Sequence, residues 1–211
     1  MSESKLNGIW NKADKSFASI ILTHGAGAGM EHPFMTNLAE QLALSGINVF
    51  RFNFPYIERG KRVPGSPKEN QQAIIDAVKE LEGSNQPLFV GGKSYGGRMA
   101  SHCAADNAIQ TVKGLVFFGF PLHAPGRDSK DRASHLADVG IPMLFLQGTG
   151  DKLANIDLIS EVNDELGSKA TLKTFQSADH SFKMPKKLGI DQLSMTRQLA
   201  DQTQLWMKSI L

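Results

Sequence analysis

A single cysteine, Cys103, in a chain of 211 residues leaves no partner for an intramolecular disulfide and rules out a Cys-x-x-Cys metal site. Its helical setting beside Met99 and Ala104 reads as that of a small buried hydrophobe. An excess of one charge is also missing. The 23 basic and 21 acidic side chains are spread along the chain, so the electrostatic footprint of a nucleic-acid binder is absent. No apolar run approaches membrane-spanning length, and the start, Met1 to Asn7, lacks the apolar core of a signal peptide. A soluble cytoplasmic protein is the expectation. Repeats and low-complexity linkers are lacking as well, and 41% hydrophobic with 21% charged residues argues against extended disorder. The length suits one packed domain, residues 1–211, better than two.

What is present is an alternation of strand-like and helix-like segments, which predicts an α/β fold: a mostly parallel central sheet with helices on both faces. An N-terminal segment is a candidate edge strand. Strands are expected at Ser19 to Leu22, Ile47 to Phe52, Pro87 to Val90, Gly114 to Phe118, Pro142 to Gln147 and Ala170 to Phe175. Helices are expected from Phe34 to about Leu44, through Ile74, Val78 and Leu81, from about Leu153 to Leu166, and from Asp191 to Ile210. Residues 53–67 and 119–140 read as loops.

The chemistry gathers at Gly92-Lys93-Ser94-Tyr95-Gly96, directly after an apolar strand. This is the G-x-S-x-G nucleophile elbow, where a serine sits on a strained turn and small neighbours let strand and helix approach closely. A serine hydroxyl is a poor nucleophile unless a base and an orienting acid accompany it. Both follow in the required order: Asp151 after the strand ending near Gln147, and His180 after the strand ending at Phe175. Upstream, His24-Gly25-Ala26-Gly27 follows another strand and can aim backbone N–H groups at an oxyanion. The donors expected are Ala26 and Tyr95, the latter being the residue after the nucleophile.

These four motifs, in this order, resemble the α/β hydrolases over nearly the whole chain. Among them the sequence is similar to the small cap-less, dienelactone-hydrolase-like forms. The elbow Gly91-Gly92-Lys93-Ser94-Tyr95-Gly96-Gly97-Arg98-Met99-Ala100 resembles that of the bacterial group related to testis-expressed α/β hydrolase-like proteins. The resemblance implies a cofactor-independent serine hydrolase acting on a small acyl ester or thioester. In such enzymes a cap enters where residues 119–140 lie here, and that interval is too short for a large one, so an open site is expected.

Competing readings are weaker. Gly92-Lys93-Ser94 mimics the end of a phosphate-binding loop, but Pro87 stands where glycine is needed and the loop positions are strand. Gly25-Ala26-Gly27-Ala28-Gly29 resembles a dinucleotide fingerprint, yet Met30 replaces the third glycine and Arg51-Phe52-Asn53 offers no acidic ribose ligand. No cluster of His, Cys and carboxylates has metal-site spacing. Asp128 is the rival for the triad acid, and Asp151 could also cap the helix that follows it. Lys93, His123 and Arg59 are candidate substrate-binding residues, and Arg59 to Arg62 with Arg127 and Arg132 suggest anionic substrates. The alternative from a different class is an α/β-hydrolase-like module that binds a partner protein or ligand without catalysis, against which the ordered triad argues.

Overall fold

A computed structural model describes residues 6–211. The first five residues, on which the expectation of no leader partly rests, lie outside the described residues. Seven strands form one sheet: β1 (Gly8–Asn11), β2 (Ala18–Thr23), β3 (Ile47–Phe52), β4 (Leu88–Lys93), β5 (Leu115–Phe118), β6 (Met143–Gly148) and β7 (Ala170–Phe175). Their spatial order is β1-β3-β2-β4-β5-β6-β7. Every neighbouring pair is parallel except β1 with β3. The central strands are buried along their length and mostly apolar, as Ile20, Ile21, Phe89, Val90, Val116 and Phe117 illustrate, because both of their faces are covered.

The cover comes from helices α1 (Pro33–Leu44), α2 (Pro55–Glu58), α3 (Pro67–Leu81), α4 (Tyr95–Ala105), α5 (Ile156–Leu166) and α6 (Gln192–Ser209). Phe34, Leu38 and Leu42 of α1 join Met195, Leu199 and Trp206 of α6 in the core on one face. On the other face Ile74 and Val78 of α3, Met99 and Cys103 of α4, and Ile159 of α5 form a second core. Period-3.6 spacing turns each apolar set onto the sheet. Helix starts follow local chemistry. Pro33 opens α1 while His32 Nδ1 accepts the N–H of Phe34 at 3.2 Å, and Asp191 accepts the N–H of Ser194 at 2.7 Å to start α6.

Three expectations need adjustment. The helix anticipated near Leu153 begins at Ile156, with Asn155 as its cap, so Asp151 does not cap it. The loop 53–67 holds the short α2, started by Pro55 in its first turn. The polar stretch 119–140 contains a 3₁₀ helix, Asp131–Asp138, anchored by buried Ala133 and Leu136. No large cap rises over the strand ends, and no helix among the described residues is long and apolar enough to cross a membrane.

Candidate active site

The C-terminal ends of β2, β4, β6 and β7 deliver the four expected motifs to one place, as a parallel sheet does for its functional loops. Ser94 sits between β4 and α4 with φ 51° and ψ −114°, a conformation that costs an L-residue energy and lifts its side chain out of the turn. The neighbouring glycines make that turn possible. A Cβ on Gly92 would collide with the Gly97 nitrogen and Thr23 Oγ1, and one on Gly96 would lie 2.5 Å from Thr23 Oγ1 and 2.6 Å from the His24 carbonyl.

His180 Nε2 lies 2.8 Å from Ser94 Oγ, and its Nδ1 lies 2.7 Å from Asp151 Oδ2. An ionised carboxylate only accepts, so Nδ1 carries the proton and Nε2 is left to accept the serine hydroxyl. The Asp151 side chain is fully buried whereas that of His180 is 23% exposed, so the carboxylate is shielded and the imidazole is reachable from solvent. Asp151 is held twice more: Oδ1 accepts the Leu153 N–H at 2.7 Å, and Oδ2 accepts from Gln147 Nε2 at 2.6 Å. Gln147 Oε1 in turn accepts the Phe120 N–H at 2.9 Å. Sequence reasoning missed Gln147. Its signal was a lone polar residue closing the apolar run of β6.

The N–H groups of Ala26 and Tyr95 donate to no acceptor among the described residues. His24 braces this turn: Nδ1–H donates to the Gly25 carbonyl at 2.8 Å and Nε2 accepts the Phe54 N–H at 3.1 Å. Burial pushes the His24 imidazole below its ordinary range, which keeps it neutral and suited to accept at Nε2. The phenol of Tyr56 accepts the Gly27 N–H at 3.1 Å and fixes the turn from beyond.

The remaining candidates fall elsewhere. Asp128 is on the surface, where it accepts from Asn155 Nδ2 at 2.6 Å, and makes no contact with His180. Asp179 spends its Oδ1 on the N–H groups of Ser181 and Lys183, each at 2.8 Å, shaping the histidine loop. His123, a substrate-binding candidate, has both ring nitrogens engaged: Nδ1 with the Ala124 carbonyl at 2.9 Å and Nε2 with the Asn155 N–H at 2.8 Å. It fastens two loops together. Arg59, another candidate, forms a two-pronged ion pair with Glu69, Nη2 to Oε2 being 2.7 Å, and its charge is thereby matched. Lys93 does not line the mouth either; it is only 9% exposed and turned inward. Cys103 is buried, and burial pushes its thiol up to about 12, far from a reactive thiolate.

Residues 16–208 match the family model of an alpha/beta hydrolase domain. The chain belongs to the alpha/beta hydrolase family. Solved structures agree at the level of fold. A dienelactone hydrolase from Anabaena variabilis is 20% identical with a TM-score of 0.77, over 100% of this chain and 94% of that one. An alpha-beta serine hydrolase homologue from Coxiella burnetii is 20% identical with a TM-score of 0.74, over 93% and 90% of the two chains. A lidless a/b serine hydrolase from Xanthomonas campestris is 19% identical with a TM-score of 0.67, over 91% and 88%.

Proposed function

We propose that this α/β hydrolase cleaves a small carboxylic ester or thioester through an acyl-enzyme, with Ser94 as nucleophile, His180 as base and Asp151 as the orienting acid. The observation that carries the reading is the unbroken chain from Ser94 Oγ through both nitrogens of His180 to a buried Asp151. In the first half-reaction Ser94 Oγ attacks the acyl carbonyl while its proton passes to His180 Nε2, and Asp151 stabilises the imidazolium that forms. The carbonyl oxygen becomes an oxyanion facing the Ala26 and Tyr95 N–H groups; such donors contribute on the order of 3 kcal/mol each to the barrier reduction. The imidazolium then protonates the leaving alcohol or thiol as the carbonyl re-forms. Water, deprotonated by the same imidazole, attacks the acyl-enzyme, and release of the carboxylic acid restores Ser94.

With no large cap among the described residues and His180 partly exposed, the site is open to substrates arriving from solvent. A fluorophosphonate probe tests the reading directly. Labelling of the wild type that disappears in Ser94→Ala is the expected result. Folded wild-type protein that resists the probe and turns over nothing in an ester and thioester panel would instead make the chain a catalytically silent binding module.

A further inference from the structure

Lys93 is left unused by the proposed reaction, although it stands between Gly92 and the nucleophile. Its stem runs past Gly25, whose Cβ position would be 3.6 Å from Lys93 Cγ. It ends in a buried Nζ that has no hydrogen-bond partner among the described residues. A buried amine with no partner is costly, and an apolar side chain of the same length would avoid that cost.

The amine lies behind the catalytic histidine. The point where a Cβ on Gly119 would stand is 3.3 Å from Lys93 Nζ, 3.5 Å from the His180 carbonyl oxygen and 3.6 Å from His180 Cε1. Gly119 has φ +74°, so this approach needs a residue that is free of a Cβ and tolerant of the left-handed region. Ammonium and imidazole are therefore within about 7 Å, and with Lys93 buried and His180 23% exposed their charges are only partly screened. The groups facing Lys93 are few. Asp151 after β6 and Asp179 after β7 favour its charged form, and the Phe182 ring lies 5.9 Å from Nζ. His24 at the end of β2 is pushed towards neutrality by burial and adds no charge.

We propose that Lys93 is a positioning residue that acts through His180: as an ammonium it opposes the imidazolium formed when Ser94 attacks, and as a neutral amine it lifts that opposition. The proposal rests on the hydrolase reading above. The proton leaving Ser94 places a positive charge on the ring that Lys93 backs, so the charge on Lys93 enters the barrier of both half-reactions. Burial, offset in part by Asp151 and Asp179, brings Lys93 down to about 8, so its charge changes within the range where hydrolysis is readily measured.

The test is kcat against pH, from 6 to 10, on a neutral p-nitrophenyl ester for wild type, Lys93→Met and Lys93→Arg. Wild type is expected to climb about three- to ten-fold through a step near pH 8. Lys93→Met should follow the upper level and Lys93→Arg the lower level, each without the step near pH 8. A merely structural role would lower both variants at every pH and leave the step in place, which overturns the proposal. A wild type that labels with fluorophosphonate but shows no step overturns it while leaving the hydrolase reading intact. If Ser94 never labels, both fall. Should the variants fail to fold, ¹³C NMR of the Lys93 ε-methylene in wild type decides: a midpoint near 8 coinciding with a step in fluorophosphonate labelling rate supports the proposal, and a midpoint above 10 sinks it.

Discussion

Asp151 shows how one side chain can be specified from several directions. Its two oxygens take one N–H from Leu153, one from Gln147 and one from His180, so the carboxylate has almost no freedom to turn. Asp151→Asn should therefore lower kcat on the order of 10³- to 10⁴-fold by disturbing the tautomer of His180. Asp128→Asn, altered at a surface hydrogen bond, should stay within about two-fold. Steady-state ester kinetics on the two variants measure the contrast, and the reverse ranking would move the acid to the earlier loop. Gln147→Leu removes both the donor to Asp151 and the acceptor for Phe120; about ten-fold lower kcat with little change in KM is expected, with a loss of about 1–3 kcal/mol in denaturant melts. Lys93 carries a stability signature of its own. Its amine falls from 10.5 to about 8 on folding, so between those values the unfolded chain binds the proton more tightly than the native one. Native stability thus gains from Lys93 as pH rises through this window, on the order of 3 kcal/mol in all. Lys93→Met should be the more stable protein at pH 7, and its advantage in melting experiments should shrink towards pH 10.5.

At the scale of elements, the elbow is a problem in close packing. Thr23 at the end of β2 sits against both Gly92 and Gly96, and its hydroxyl donates to the Gly91 carbonyl at 3.0 Å. Gly96→Ala should destabilise by about 2–3 kcal/mol and lower fluorophosphonate reactivity, since relief of the clash must shift Ser94. Much of this layer was legible in the sequence. Apolar runs bounded by glycine and proline marked the interior strands, and the elbow betrayed itself because only small residues tolerate that turn. What escaped was non-local. Nothing beside His123 in the chain announces that Asn155 will occupy its ring, and nothing beside Arg59 announces that Glu69, ten residues on, will match its charge. Both look like loop residues free to meet a ligand until the fold brings their partners. Gln147 is the opposite case, its polarity visible but its purpose readable only once Asp151 and Phe120 flank it.

At the scale of the molecule, the pairing of Arg59 with Glu69 removes one support for a taste for anionic substrates. Neutral and carboxylate-bearing esters with the same leaving group should give kcat/KM values within a few-fold, as a matched pair of substrates would reveal. Ser94, Asp151 and His180, the side chains proposed to react, follow different strands, and those strands are unequally secured. β4, which carries Ser94, is buried along its length between β2 and β5. β7, which leads to His180, bonds only to β6, leaves most of its residues partly or wholly exposed, and is separated from α6 by a groove of about 590 Å³ that reaches Phe175 and Met195. His180, the proposed proton acceptor, thus follows an edge strand of the sheet. Mild denaturant should silence turnover while the far-ultraviolet helical signal is still at its native value, a molecule that stops working well before it comes apart.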